Sequence, residues 1–164
     1  MTKQFPNADT RVAQDNAGHQ EDLLIEQAIA VLEHRIFKRG PCLDNPQEVR
    51  RYLRLKLAGE SQEVFSVCFL DSRLQVMAYE PLFHGTIDAV SVYPRRILQR
   101  ALELNSAAII VAHNHPSGNT EPSQNDKNIT VLLKDWLPRM DIRLVDHFII
   151  GEGEPYSFAE AGLI

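Results

Sequence analysis

Polar and apolar positions change their period along the chain, and those changes mark its elements. Residues 1–19 are polar and without an apolar period, so a disordered tail is expected there. From 20 to about 39, Ile25, Ile29, Leu32 and Ile36 recur at helical spacing until Gly40-Pro41 stops the pattern. Asn45-Pro46 with Glu48 supplies a cap, a first-turn proline and a first-turn acid for a second helix. Its stripe is Val49, Tyr52, Leu53 and Leu57, and Gly59 lies just past its end. Residues 20–60 therefore predict a two-helix N-terminal extension. From Glu63 the pattern becomes that of strands. EVFSVCFL (63–70) reads as a strand, Asp71-Ser72-Arg73 as a turn, LQVMAY (74–79) as a hairpin partner and AVSVY (89–93) as a further short strand. Pro94 opens a helix with Ile97, Leu98, Ala101 and Leu104 facing inward. AAIIVAH (107–113) has the continuous apolar character of a central strand covered on both faces. A Pro/Gly/Asn/Thr-rich loop covers 114–122, and Ser123 begins a helix to about Trp136, ended by Pro138. IRLVDHFII (142–150) is a last long strand, GEGE a turn, and SFAEAGLI (157–164) a final helical turn. Strands interleaved with helices predict an α+β domain with a mixed sheet over residues 61–164.

Composition narrows the class. The chain has 164 residues and a net charge of −5, enough length for one domain with a real core and no overall basic field for gripping a phosphate backbone. Its two cysteines, Cys42 and Cys68, are too few for a disulfide framework or a Cys-based zinc site. No apolar run approaches the roughly 20 residues that span a bilayer, and residues 1–20 lack a signal-peptide core. A cytoplasmic protein with no membrane partner is expected. Arg50, Arg51, Arg54 and Lys56 share the second helix; a solvated face is the simpler reading, a nucleic-acid contact the alternative.

The chemistry concentrates in HNHPSGNTEPSQND, residues 113–126. Side chains alternate along a strand, so His113 and His115 point the same way and Asn114 points the other. Two imidazoles at a strand end can chelate one divalent ion if another element brings a third ligand. Asp126, in the first turn of the helix opened by Ser123, can be that ligand. Two neutral imidazoles and one carboxylate leave a tetrahedral zinc ion one position for water. Each residue also has a plainer reading: Ser123-x-x-Asp126 as a capping box, the histidines as loop residues. Their concurrence in one short segment favours a metal site.

H-x-H, seven residues, then S-x-x-D matches the JAMM motif of the JAB/MPN metalloproteases. HNHPSG, EPSQND and DHFIIGEG, with FHGTI and VYPRRI upstream, resemble the RadC-like proteins of bacteria over roughly residues 60–164. The resemblance implies a JAB/MPN fold, a mixed sheet flanked by helices, with one Zn2+ per chain held by His113, His115 and Asp126. It also implies a glutamate upstream of the histidines that hydrogen-bonds the metal-bound water. Glu63 is the better match, as general base, and Glu80 the rival. Ser123 would cap its helix and donate to an oxyanion near the metal. The implied reaction is hydrolysis of a peptide or isopeptide bond in a peptide or protein substrate. RadC-like proteins often carry an N-terminal helix-hairpin-helix domain, whereas residues 20–60 read as two helices only, so a short form is expected. The alternatives are a DNA-repair or DNA-associated metal protein, and a non-catalytic MPN-type interaction module. His147 reads as structural, His84 has no assigned role, and His19 and His34 read as surface residues.

Overall fold

The computed structural model describes residues 40–164 apart from Ala58 and residues 86–91, with isolated helical positions at Gln20, Leu23, Leu24 and Gln27. The expected tail (1–19) and nearly all of the first expected helix (20–39) lie outside the described residues. So do His19, His34 and the start of the expected strand 89–93, whose last residues, Val92 and Tyr93, are irregular.

Helix α1 (Pro46–Leu57) is followed by β1 (Val64–Leu70) and β2 (Val76–His84), then helix α2 (Pro94–Glu103) and β3 (Ala108–Asn114). Helix α3 (Gln124–Trp136) continues as a 3-10 turn (Leu137–Met140) before β4 (Arg143–Ile150) and β5 (Tyr156–Ser157). Pro138 does not end the helix abruptly. It sits in the tightened last turn, where its missing N–H costs nothing. The sheet runs β2-β1-β3-β4-β5, with β3 and β4 parallel and the other pairs antiparallel. A mixed sheet with three helices is the α+β architecture expected. The hairpin partner is longer than LQVMAY, running on to His84, which pairs with Val64. At its start, Leu74 (φ 61°) is part of the turn, held by the Leu74 N–H to the Asp71 carbonyl (3.0 Å).

Every residue of β1 and of β3 is buried, as their mainly apolar runs require, and the polar Ser66, His113 and Asn114 are buried with them. Alternation sends Val64, Cys68 and Leu70 of β1, with Ala108, Ile110 and Ala112 of β3, against Leu43, Val49, Leu53 and Leu57 of the α1 segment. It sends Phe65, Val67 and Phe69, with Ile109 and Val111, against Ile97 and Ala101 of α2 and Leu133 of α3. The helix at 46–57, grouped from sequence with an N-terminal extension, thus helps cover one face of the sheet.

This packing also accounts for Arg50. The solvated-face reading does not hold for it: Arg50 is buried, its guanidinium 5.7 Å from the Phe148 ring centroid, and it pairs with Glu154 (2.9 Å) and Glu160. Arg54 reaches the Gly153 carbonyl, and Lys56 lies over the Tyr52 and Tyr79 rings at 5.5 and 5.3 Å. Three of the four cations on this helix are engaged within the domain.

Candidate metal centre

His113 ends the buried run of β3 on the sheet face covered by α2 and α3, and its side chain has no exposed surface. His115 follows on the same side, as strand alternation requires. The His115-Pro116-Ser117-Gly118 turn holds it, closed by the Gly118 N–H to the His115 carbonyl (2.9 Å) with Gly118 at φ 81°. The turn is tied to the end of β4 twice: His115 N–H to the Ile150 carbonyl, and Glu152 N–H to the Gly118 carbonyl, both 2.8 Å. Gly151 permits that approach, because a Cβ there would stand 2.4 Å from the Gly118 carbonyl oxygen.

Helix α3 brings the carboxylate. Ser123 caps it in a complete capping box, its Oγ accepting from the Asp126 N–H (3.2 Å) while the Asp126 carboxylate accepts from the Ser123 N–H (2.7 Å). The capping and ligand readings of Asp126 coexist, because its two oxygens divide the work. Oδ2 takes the Ser123 N–H and the Ser123 hydroxyl (2.6 Å). Oδ1 stands 3.2 Å from His113 Nε2, and Oδ2 3.7 Å from His115 Nε2. Burial raises the Asp126 pKa, but the His113 ring, in the form whose Nε2 carries a proton, and the two Ser123 donors outweigh it and hold this carboxyl well below the usual range. In this arrangement the Ser123 proton points at Asp126.

Glu63 arrives by register. Phe65 pairs with His113 across β1 and β3, so the residue two before Phe65 lies beside the end of β3. Its carboxylate and the two imidazoles offer ligand atoms all within 4.8 Å of one another. Asn114, on the opposite face, fastens this segment: its Oδ1 accepts from the Val64 N–H (2.8 Å) and its Nδ2 donates to the Gln62 carbonyl (2.9 Å). Glu80 is elsewhere, taken up in a forked pair with Arg100 at 2.7–2.9 Å. The structure thus brings together Glu63, His113, His115, Asp126 and Ser123, and leaves Glu80 paired elsewhere; His84 is exposed.

The donor set can be tested for a metal. His115 Nδ1 faces the Asn119 carbonyl at 2.7 Å and must donate to it, so the neutral ring presents a lone pair at Nε2. That nitrogen lies 3.0 Å from His113 Nε2, which in turn lies 3.2 Å from the Asp126 carboxylate. Ligands about 2.0–2.1 Å from a tetrahedral ion stand roughly 3.4 Å apart. The two sides at His113 come near that, while His115 meets Asp126 through the other carboxylate oxygen, Oδ2, at 3.7 Å. Among the described residues it is Glu63, His113 and His115 that offer single ligand atoms within 4.8 Å of one another. Electron-rich atoms gathered at one point, with partial exposure at His115 and Asp126, fit a divalent cation reachable from solvent.

Sequence reasoning missed two participants. Strand alternation puts Asn114 on the other face, and nothing in the sequence gives it a role. His147, read as structural, contacts the site directly, its Nε2 2.9 Å from His113 Nδ1. The one available signal was a histidine inside the otherwise apolar end of DHFII, in a strand buried on the helix-covered face.

The class follows from these parts: an α+β domain whose mixed sheet presents imidazoles and carboxylates at one strand end. Residues 43–163 match the family model of the RadC-like JAB domain, and the chain belongs to that family. It is similar to the UPF0758 protein of Stutzerimonas stutzeri, 54% identical over 125 residues, which cover 76% of this chain and 56% of the relative. The UPF0758 protein of Azotobacter vinelandii is 50% identical over 143 residues, covering 87% and 63%. That of Nitrosococcus oceani is 55% identical over 127 residues, covering 77% and 57%. The chain therefore spans somewhat more than half the length of these relatives. Among the described residues, no helix is long and apolar enough to cross a membrane.

Proposed function

We propose that this domain is a zinc-dependent hydrolase of peptide or isopeptide bonds, with His113, His115 and Asp126 as metal ligands and Glu63 as general base. The observation that carries the reading is the approach of His113 Nε2 to both His115 Nε2 (3.0 Å) and Asp126 Oδ1 (3.2 Å), beside the Glu63 carboxylate. A zinc ion held by these residues would supply Lewis acidity, for polarising a carbonyl and for making water acidic near neutral pH.

The chain's own groups do the rest. Glu63, poised at the start of β1 and partly open to solvent, takes a proton from the attacking water and passes it to the departing amine nitrogen. Asp126 stays ionised, so it holds negative charge at the site across the neutral range. The Ser123 hydroxyl, 2.6 Å from Asp126 Oδ2, can turn its proton toward an oxygen that gains charge, leaving Oδ2 still bonded to the Ser123 N–H. The fully buried His113 forms the floor and the partly exposed His115 the rim, which favours approach of a substrate from the His115 side. Three of the four basic residues on α1 are already paired or stacked, which favours a peptide or protein substrate over DNA.

The test is cleavage of peptide and isopeptide libraries by zinc-loaded protein, beside Glu63→Gln and a chelator-treated control. Glu63→Gln should lower the rate by about 10²–10⁴. Loaded protein that cleaves no amide bond, yet hydrolyses another substrate in a His113-dependent way, would overturn the reading.

A further inference from the structure

Behind the imidazole pair runs a buried chain of polar contacts whose hydrogens can be assigned one by one. Thr130, one helical turn after Asp126 on the inward side of α3, has its Oγ1 2.6 Å from the Asp126 main-chain carbonyl. The same Oγ1 is 2.7 Å from His147 Nδ1, and His147 Nε2 is 2.9 Å from His113 Nδ1. Thr130 is 1% exposed, and His113 and His147 are fully buried. A carbonyl can only accept, so the single Thr130 hydroxyl proton belongs on the Asp126 carbonyl. Thr130 Oγ1 must then accept from His147 Nδ1–H, which leaves His147 Nε2 a lone pair. That lone pair takes the proton of His113 Nδ1, and His113 Nε2 is left bare, facing His115 and Asp126. Running the chain in the opposite direction leaves two buried oxygens 2.6 Å apart with no hydrogen between them. The chosen direction instead puts its one unfilled contact, between the bare Nε2 atoms of His113 and His115 at 3.0 Å, at the metal position on the partly open side of the site.

We propose that His147 is a positioning residue which, with Thr130 and the Asp126 carbonyl, locks His113 in the Nδ1–H tautomer and aims its Nε2 lone pair at the metal position. The ring of His147 is itself fixed, stacked on Phe158 at a centroid distance of 4.5 Å and edge-on to Phe65 at 5.6 Å. Phe65 also lies parallel to His113, 5.8 Å between centroids. The device is unusual in its anchoring. The helix that supplies the Asp126 carboxylate also supplies, through its main chain and Thr130, the end of the relay that orients His113. One element sets two ligands.

The proposal takes its functional meaning from the metal reading, but its first test needs no metal. Long-range 1H–15N correlation spectra of chelator-treated, 15N-labelled protein at pH 8 report which ring nitrogen of each histidine carries the proton. His113 and His147 should both carry it on Nδ1, and Thr130→Val should remove that preference at His147. A proton on His113 Nε2 in the wild type overturns the proposal. Competition with a chromophoric chelator then reads zinc affinity. His147→Phe, which keeps the stacking but offers no acceptor, should bind about 10–100-fold more weakly. His147→Gln, whose amide oxygen can still accept from His113 Nδ1–H, should recover most of that loss. Equal affinity in His147→Phe and wild type overturns the positioning role. Wild-type protein that binds no zinc while His113 carries its proton on Nδ1 upholds the tautomer lock and overturns the metal reading.

Discussion

Removing the Asn114 carboxamide separates the anchorage of Glu63 from the imidazoles. Asn114 is 6% exposed, and Val64, whose N–H it accepts at 2.8 Å, is 1% exposed. In Asn114→Ala that buried N–H loses its acceptor, at a cost of about 1–3 kcal/mol. The Gln62 carbonyl, bonded at 2.9 Å, belongs to an exposed residue and can turn to water, so its loss adds about 0.5–1.5 kcal/mol. The sum is about 1.5–4.5 kcal/mol. With an unfolding entropy of about 2.1 cal/mol/K per residue over the ~125 residues from Gly40 on, that lowers Tm by roughly 6–17 °C. His113 and His115 face away from Asn114, so zinc affinity should change less than about tenfold, while freeing residues 60–64 deprives hydrolysis of its base. Asn114→Ala combined with Glu63→Gln should therefore be no slower than Glu63→Gln alone, although the double variant keeps the full stability loss. Thermal unfolding, chelator competition and hydrolysis rates on the four proteins decide the matter. An Asn114→Ala protein that melts within about 3 °C of wild type, or that loses zinc as fully as His113→Ala, would refute the reasoning.

Other perturbations reach other parts of the account. Glu80→Gln should leave zinc affinity and rate within about threefold of wild type, because that carboxylate pairs with Arg100; a loss matching that of Glu63→Gln would exchange their roles. Gly151→Ala forces the β4 end away from the Gly118 carbonyl and should loosen His115, weakening zinc binding while far-ultraviolet circular dichroism stays unchanged. Burial holds the His147 pKa well below the ordinary 6.5, so below that pH the unfolded chain binds a proton that the fold refuses. Stability of chelator-treated protein should then fall as pH drops from about 6.5, by up to about 1.4 kcal/mol per pH unit, and His147→Gln should flatten the slope in urea titrations. Asp126, also depressed, contributes only below about pH 4 and does not confuse that window. Burial pushes the Cys68 thiol up to about 12, and burial and Asp44 raise that of exposed Cys42. At pH 8 one thiol should react with a thiol reagent, slowly, and the second only on unfolding.

How far the sequence could be read follows from where its constraints were local. The buried strands 64–70 and 108–114 are legible because short, mainly apolar runs bounded by turn residues leave little else to form. The Ser123–Asp126 capping box is legible because its two ends, three residues apart, bond each other. His113 and His115 share a face by strand alternation alone, and Asp126 reaches them because the loop between is long enough. Glu63 is already the better match than Glu80 in the sequence, and the physical reason appears only with the register that sets Phe65 opposite His113 and the arginine on α2 that claims Glu80. The role of His147 depends on which strand lies beside β3 and on Thr130 standing one turn after Asp126, contacts that no pattern within 143–150 reveals. Arg50 misled for a similar reason, its partners Glu154 and Glu160 lying about a hundred residues away.

The central claim, that two imidazoles and the Asp126 carboxylate hold one divalent cation, is tested most directly by equilibrium dialysis of metal-stripped protein against micromolar zinc, with elemental analysis of the retained ion. Wild type should retain one zinc per chain, while His113→Ala and Asp126→Asn, folded by circular dichroism, should retain almost none. No zinc above the buffer level in wild type, or full retention in both variants, would contradict the account.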